Sequence, residues 1–173
     1  MKANERELPN LNTEETSSPS IKLDATDKKI LKILQRTAKI TNTQLSKDID
    51  LSPAPTLERV KKLENMGIIE SYHAKLNLRS VNLGVTTFVN VKLSKHNKKN
   101  NDEFVRKVNE LEEVIECHHI TGSSHYLLKV VAKDIAAYQK IILDKISEIE
   151  EIDDLQSMVV LSTLKDSKVV PLI

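Results

Sequence analysis

From Leu23 onward, apolar residues recur at helical spacing. Ile30, Leu31, Leu34 and Ala38 fall on one stripe. Asp24 stands ahead of it as an N-cap, with Asp27 three residues later, a close relative of the capping box. The pattern predicts a helix from Asp24 to about Thr37. A shorter helix follows, with Thr43 as its cap and Leu45 and Ile49 as its apolar edge. Asp50-Leu51-Ser52 interrupts it. Ser52-Pro53 then opens a third helix, because Ser caps well and Pro suits the first turn. Leu57, Val60 and Leu63 carry that helix to Gly67, a C-cap candidate.

Beyond Gly67 the period changes. Ile68, Tyr72 and Leu76 mark a short strand and linker. Val85, Thr87, Val89, Val91 and Leu93 alternate with their neighbours, as in a strand. Asn101 to Leu111 reads as a helix with Phe104, Val108 and Leu111 on one face. Val114 to Ile120 and His125 to Ala132 read as strands around a turn at Gly122. Asp134 caps a helix to Ser147 with Ile135, Tyr138, Ile142 and Ile146 inward, and Leu155 to Leu164 is a last strand. Three helices followed by βαββαβ make an α+β chain: a helix-turn-helix domain over 22–67, a strand and linker over 68–83, and a ferredoxin-like domain over 84–164. Polar residues 1–21 read as a disordered arm, and 165–173 as a C-terminal tail.

The strands add a demand. Val114 and Ile120 alternate with Ile115 and Cys117, and Leu128 and Val130 alternate with Leu127 and Val131. A sheet apolar on both faces needs a cover beyond its own two helices. A homodimer with sheets face to face is the simplest source.

Charge is uneven although the net is only +1. Lys22 to Glu64 holds ten basic and six acidic residues, and Gly84 to Leu164 ten basic and thirteen acidic. Only the first half suits a polyanion. In a helix-turn-helix the second helix enters the major groove. With Val60 as the core centre, Pro53, Thr56, Leu57 and Leu63 point inward, leaving Ala54, Pro55, Glu58, Arg59, Lys61 and Lys62 outward or sideways. Ala54 and Pro55 are small enough for close approach to base edges. Arg59 suits guanine or phosphate, and Glu58 suits a cytosine amine or Arg59 itself. Lys61, Lys62, Asn42, Thr43 and the helix start at Ser52 and Pro53 complete a candidate set for double-stranded DNA. A three-helix bundle with a solvated charged face satisfies the same periodicity.

These segments resemble the leucine-responsive/asparagine-responsive (Lrp/AsnC, feast/famine) regulator family. Leu23-Asp24-x-x-Asp27-x-x-Ile30-Leu31 is similar to its opening helix. Leu51-Ser52-Pro53-x-Pro55-x-Leu57-Glu58-Arg59-Val60-x-x-Leu63-Glu64-x-x-Gly67-Ile68-Ile69 is similar to its recognition helix, and the run from Leu111 through Gly122 to Lys129 to its sensor domain. The resemblance implies a winged helix-turn-helix transcription regulator. Its ferredoxin-like sensor would dimerise and assemble further, into an octamer for instance. A small effector, an amino acid, would bind around Thr121, Gly122, Ser123, Ser124 and His125. The chain departs from the family at His125, where an aspartate commonly precedes the tyrosine. Neutral His supplies no fixed negative charge at pH 7, which puts an ordinary amino-acid effector in doubt.

Other chemistry is thin. In a strand, Cys117 and His119 share one face while His118 takes the other, so with His125 they make no complete zinc set. No acid or oxyanion loop accompanies Cys117 as a nucleophile. Ser123-Ser124 reads as a turn, and the acidic run Glu148 to Asp154 as a solvated loop without a calcium pattern. No metal, cofactor or catalytic role is therefore expected. The lone cysteine forbids an internal disulfide and fits a reducing, cytoplasmic setting. No apolar run reaches the roughly 20 residues of a membrane span. The alternative, a ligand-binding or enzymatic ferredoxin-like domain with a helical bundle that does not bind DNA, has the charge split and the missing catalytic set against it.

Overall fold

The computed structural model describes residues 22–95 and 97–172; the arm expected over 1–21 lies outside the described residues. The chain divides into two compact units. One runs to His73 and also takes in the C-terminal residues from Ser167, and the other is Ala74–Asp166.

The first unit holds α1 (Ala25–Leu34), α2 (Asn42–Asp48) and α3 (Pro53–Asn65). The capping box forms: Asp24 accepts from the Asp27 amide at 2.7 Å, and Asp27 accepts from the Asp24 amide at 3.3 Å. Ile30, Leu31, Leu45, Ile49 and Leu63 make a buried core, closed by half-buried Val60, Ile68 and Ile69. Two Schellman turns end α2 and α3. Asp50 takes φ 60° while the Leu51 amide donates to Ser46 at 2.9 Å; Gly67 takes φ 69° while the Ile68 amide donates to Leu63 at 3.0 Å. The cap of α2 is Thr41, whose hydroxyl accepts from Gln44 at 3.1 Å, and not Thr43. The helix starts two residues earlier than the pattern suggested, so Thr43 lies inside its first turn.

The strand expected around Tyr72 is not formed among the described residues. Ile68 and Ile69 turn onto the helical core, and the segment has no ladder partner among the described residues of this unit. The C-terminal tail docks here too. The Gln35 side chain accepts from the Val170 amide at 2.6 Å and donates to the Val170 carbonyl at 3.4 Å, while Leu172 packs on the core.

The second unit runs β1 (Val85–Leu93), α4 (Lys98–Asn109), β2 (Val114–His119), β3 (Tyr126–Ala132), α5 (Ile135–Ile141) continued by a π-helical turn over Ile142–Ile146, and β4 (Ile152–Val159). The strands form one antiparallel sheet in the order β2-β3-β1-β4, the ferredoxin-like arrangement. Val89, Val91, Leu93, Leu128 and Val130 pack with Phe104, Val108, Tyr138, Ile141 and Ile146 in its core.

Three expectations need correcting here. Ile135 is 56% exposed, and Ile141 is buried in its place. The π turn, with Ser147 donating to Ile142 at 2.8 Å, adds a residue to the repeat and resets the inward face. β4 begins at Ile152 rather than Leu155 and ends at Val159. β2 carries a register shift between Val114 and Glu116. Val114 and Cys117 therefore sit opposite Val130 and Leu128, on the helix-covered face together, and Ile115 is left at the irregularity, 47% exposed. The face away from the helices presents Phe88, Leu127 and Met158 around an ion pair, Lys129 to Glu116 at 2.8 Å. It is more mixed than the sequence suggested.

Candidate nucleic-acid interface

α3 is fixed by what it buries. Thr56 and Leu63 are buried and Val60 is half-buried, whereas Leu57 is 43% exposed and Pro53 is exposed. The inward stripe is thus rotated by about 50° from one centred on Val60, at 100° per residue. Thr56 can occupy the core because its hydroxyl donates to the Ser52 carbonyl at 2.9 Å. The readings of Leu57 and Pro53 as inward are corrected accordingly.

The exposed ridge of α3 comprises Ser52, Pro53, Ala54, Leu57, Glu58, Lys61 and Lys62, with Pro55 half-buried beside it. Ser52 has cap backbone geometry but no side-chain cap bond. Pro53 and Pro55 carry no amide hydrogen, so between 53 and 55 only Ala54 offers a backbone donor. An anion at this helix start has less to bind than an ordinary N-terminus gives. Thr43 is exposed. Asn42 acts inside the motif: its amide nitrogen donates to the Pro53 carbonyl at 2.8 Å and ties α2 to the start of α3.

Arg59 does not point outward as the spacing suggested. Its Nη1 lies 2.6 Å from Asp24 Oδ2 and 2.7 Å from Asp27 Oδ1. Its carboxylate partners come from the start of α1 rather than from Glu58. Asp24 is held below the ordinary aspartate range, first by the Asp27 amide and then by Arg59; Arg59 is raised, first by Asp24 and then by Asp27. Sequence reasoning read Asp24-x-x-Asp27 as a cap alone and missed this second use.

In the second unit, the connection from Thr121 to His125 links β2 and β3. Thr121, Gly122 and Ser123 are exposed, Ser124 and His125 half-buried, and Gly122 has φ 126°, which side chains rarely allow. His125 is stitched on both sides: its amide donates to Val91 and its carbonyl accepts from Ile120, each at 2.9 Å. Its Nδ1 accepts from the Leu93 amide at 2.9 Å.

The remaining candidates sit apart. Cys117 faces the helices, and burial pushes its thiol up to about 11, so it is a poor nucleophile at neutral pH. His119 stacks near Tyr126, ring centres 5.0 Å apart, while His118 lies on the other face, 3.4 Å from Glu116. Among the described residues, no group of three His, Cys, Asp or Glu is placed to hold a metal ion, and no helix is long and apolar enough to cross a membrane.

Two family profiles match this layout. One, described as winged helix-turn-helix DNA-binding, covers residues 23–70; the other, the Lrp/AsnC ligand binding domain, covers 86–170. The chain belongs to the Lrp/AsnC family of transcription regulators. It is 38% identical over 152 residues to the transcriptional regulator AzlB of Bacillus subtilis, spanning 88% of this chain and 97% of that one. It is 36% identical to the leucine-responsive regulatory protein of Escherichia coli K12, over 86% and 91% of the two chains. Among solved structures, a Neisseria meningitidis transcriptional regulator in complex with L-methionine superposes with a TM-score of 0.83 at 37% identity, covering 87% and 97%. Membership in this family joins a DNA-binding helix-turn-helix to a ligand-binding ferredoxin-like domain in one chain.

Proposed function

We propose that this chain is a sequence-specific regulator that acts as a homodimer or a larger assembly, with the exposed ridge of α3 in the major groove. The observation that carries the reading is that ridge. A helix anchored by Thr56 and Leu63 holds the small side chains Ala54 and Pro55 forward, and Glu58, Lys61 and Lys62 on its open side. Ala54, Pro55 and Glu58 would meet base edges; Lys61, Lys62, Ser52 and Thr43 would meet phosphate. Asn42 would act through the turn it holds. Phe88, Leu127 and Met158 on the uncovered sheet face support pairing with a second copy. The solved relative that carries L-methionine supports an amino acid as the effector class; the place we assign to it is the connection Thr121–His125.

The test is a gel shift of the full chain against genomic fragments and random duplexes. Preferred fragments should carry two half-sites spaced by whole helical turns, and affinity should fall steeply with salt. Equal affinity for every duplex would sink the specific-regulator reading. Light scattering of the same preparation reads the assembly, and a monomer at working concentration would overturn that part.

A further inference from the structure

The arginine of α3 that its position suggests as a base reader is already paired, and its two partners lie at the start of another helix. Asp24 caps α1, Asp27 lies in its first turn, and Arg59 stands in the middle of α3. One guanidinium nitrogen, Nη1, meets both carboxylates, at 2.6 and 2.7 Å. The Asp27 side chain is 8% exposed and that of Arg59 34%. Guanine is read by a two-pronged fork; with Nη1 held twice the end-on Nη1/Nη2 fork is closed unless both contacts break, and the Nε/Nη2 edge is the one fork left to it. The cluster also carries one positive and two negative charges, which disfavours an approaching phosphate. We propose that Arg59, Asp24 and Asp27 form a positioning brace: they set the pose of α3 against α1, and act on DNA through that pose rather than by contact.

The proposal rests on the reading of α3 as the recognition helix and assigns a role within it. It makes α1 part of the reading apparatus without touching DNA. The Asp24 side chain does two jobs, receiving the Asp27 amide as the cap of α1 and pairing with Arg59. The start of α1 and the body of α3 are thereby held at one point. Asn42 makes a comparable tie at the other end, between α2 and Pro53.

Contact and positioning predict opposite signs for a carboxylate. If DNA felt only charge, removing the negative charge of Asp27 would tighten binding. If the brace positions α3, Asp27→Asn weakens it. The experiment measures affinity of the full chain for a fluorescent duplex that the wild-type chain has selected from a random pool, over a salt series. The variants are Asp24→Asn, Asp27→Asn, Arg59→Ala, the Asp27→Asn/Arg59→Ala pair, and Lys61→Ala. Asp24→Asn guards against unfolding, because Asn caps a helix as well as Asp does, keeping one acceptor oxygen for the Asp27 amide while losing the charge and the second acceptor that meets Arg59.

The expected result is a loss of about two- to a hundredfold for Asp27→Asn and Arg59→Ala, and a smaller loss for Asp24→Asn. The pair should be no worse than the stronger single variant. The salt slope should stay at the wild-type value in all brace variants, whereas Lys61→Ala lowers it by about one. The loss should also be equal across single base-pair changes in the duplex. Tighter binding by Asp24→Asn or Asp27→Asn, a lowered slope in Arg59→Ala, or relaxed preference at one base pair would overturn the brace and restore Arg59 as a contact. A wild-type chain that enriches no sequence from the pool would overturn the recognition-helix reading, and the positioning role with it. That failure shows in the selection step, before any variant is compared.

Discussion

The Nδ1 atom of His125 lies 2.9 Å from the Leu93 amide nitrogen and accepts its hydrogen. Leu93 is buried at the end of β1, so that amide cannot turn to water. An imidazole that accepts at Nδ1 carries its neutral-form proton on Nε2. His125 therefore performs one of the two tasks open to an aspartate at this place, holding the loop backbone, without the standing negative charge. His125→Ala should leave the Leu93 amide unpartnered, at a cost of about 1–3 kcal/mol. Urea unfolding of the full chain reads this; an unchanged midpoint would mean that the contact contributes nothing.

A carboxylate at 125 can accept the same amide and still offer charge to an ammonium group. His125→Asp should therefore keep the stability that His125→Ala loses and gain affinity for an α-amino acid. Calorimetry with an amino-acid panel, run on the wild-type chain and on His125→Asp, checks it. No gain in any titration would show that the charge at 125 does not govern effector binding.

Exposure on α3 gives a sharper contrast. Leu63 is 1% exposed and Leu57 43%. Leu63→Ala should cost about 2–5 kcal/mol through the cavity it leaves. Leu57→Ala should cost well under that, because the side chain is already wet. Hydrogen exchange at the amides of α1 to α3 follows the helical unit apart from the sheet. Equal losses for the two variants would return the inward stripe to a centre on Val60.

Much of this architecture is legible in local pattern. β1 has the bounds its alternation predicts, Asp24 and Asp27 form their capping box, and Gly67 ends α3 in a left-handed turn. The misreadings share a cause: each depends on something outside the local repeat. Thr41 and Thr43 flank Asn42 and are equally good caps, so only the backbone decides between them. Leu57 and Pro53 read as inward on a stripe centred on Val60, and only the packing of the other helices against Thr56 and Leu63 shows that the stripe is rotated. The π turn after Ile141 and the irregularity at Ile115 each shift a register that simple periodicity carries straight through. Arg59 was misjudged because its partners lie 35 and 32 residues away, on a helix whose acidic residues already had a local explanation.

Asp50 stands in the left-handed region, φ 60°, at the turn between α2 and α3. A residue with a side chain is strained there and glycine is not. Asp50→Gly should stabilise the helical unit by about 0.5–1 kcal/mol, less whatever the 3.9 Å approach to exposed Lys29 contributes, which is small. Asp50→Val should destabilise it, since a β-branched residue fits that region worst. Melting temperatures of the two variants should bracket the wild type, and the reverse order would exclude strain at this turn.

The ion pair at Asp24 also sets a pH dependence. The Asp27 amide, then the Arg59 guanidinium, hold the Asp24 carboxyl below its ordinary range in the folded chain. A folded value below the unfolded one means that the unfolded chain binds the proton more readily, so stability falls as acid is added. The contribution is fully present above the unfolded aspartate value of about 3.9 and is lost as pH falls through the lower folded value. Asp24→Asn keeps a cap acceptor but cannot titrate. The melting temperature of the helical unit in the wild type should therefore exceed that of Asp24→Asn near neutral pH. The gap should close as pH falls through the folded value, below the ordinary aspartate range, where the wild-type carboxyl takes up its proton. A gap that persists undiminished in acid would show that charge at Asp24 does not stabilise the junction of α1 and α3.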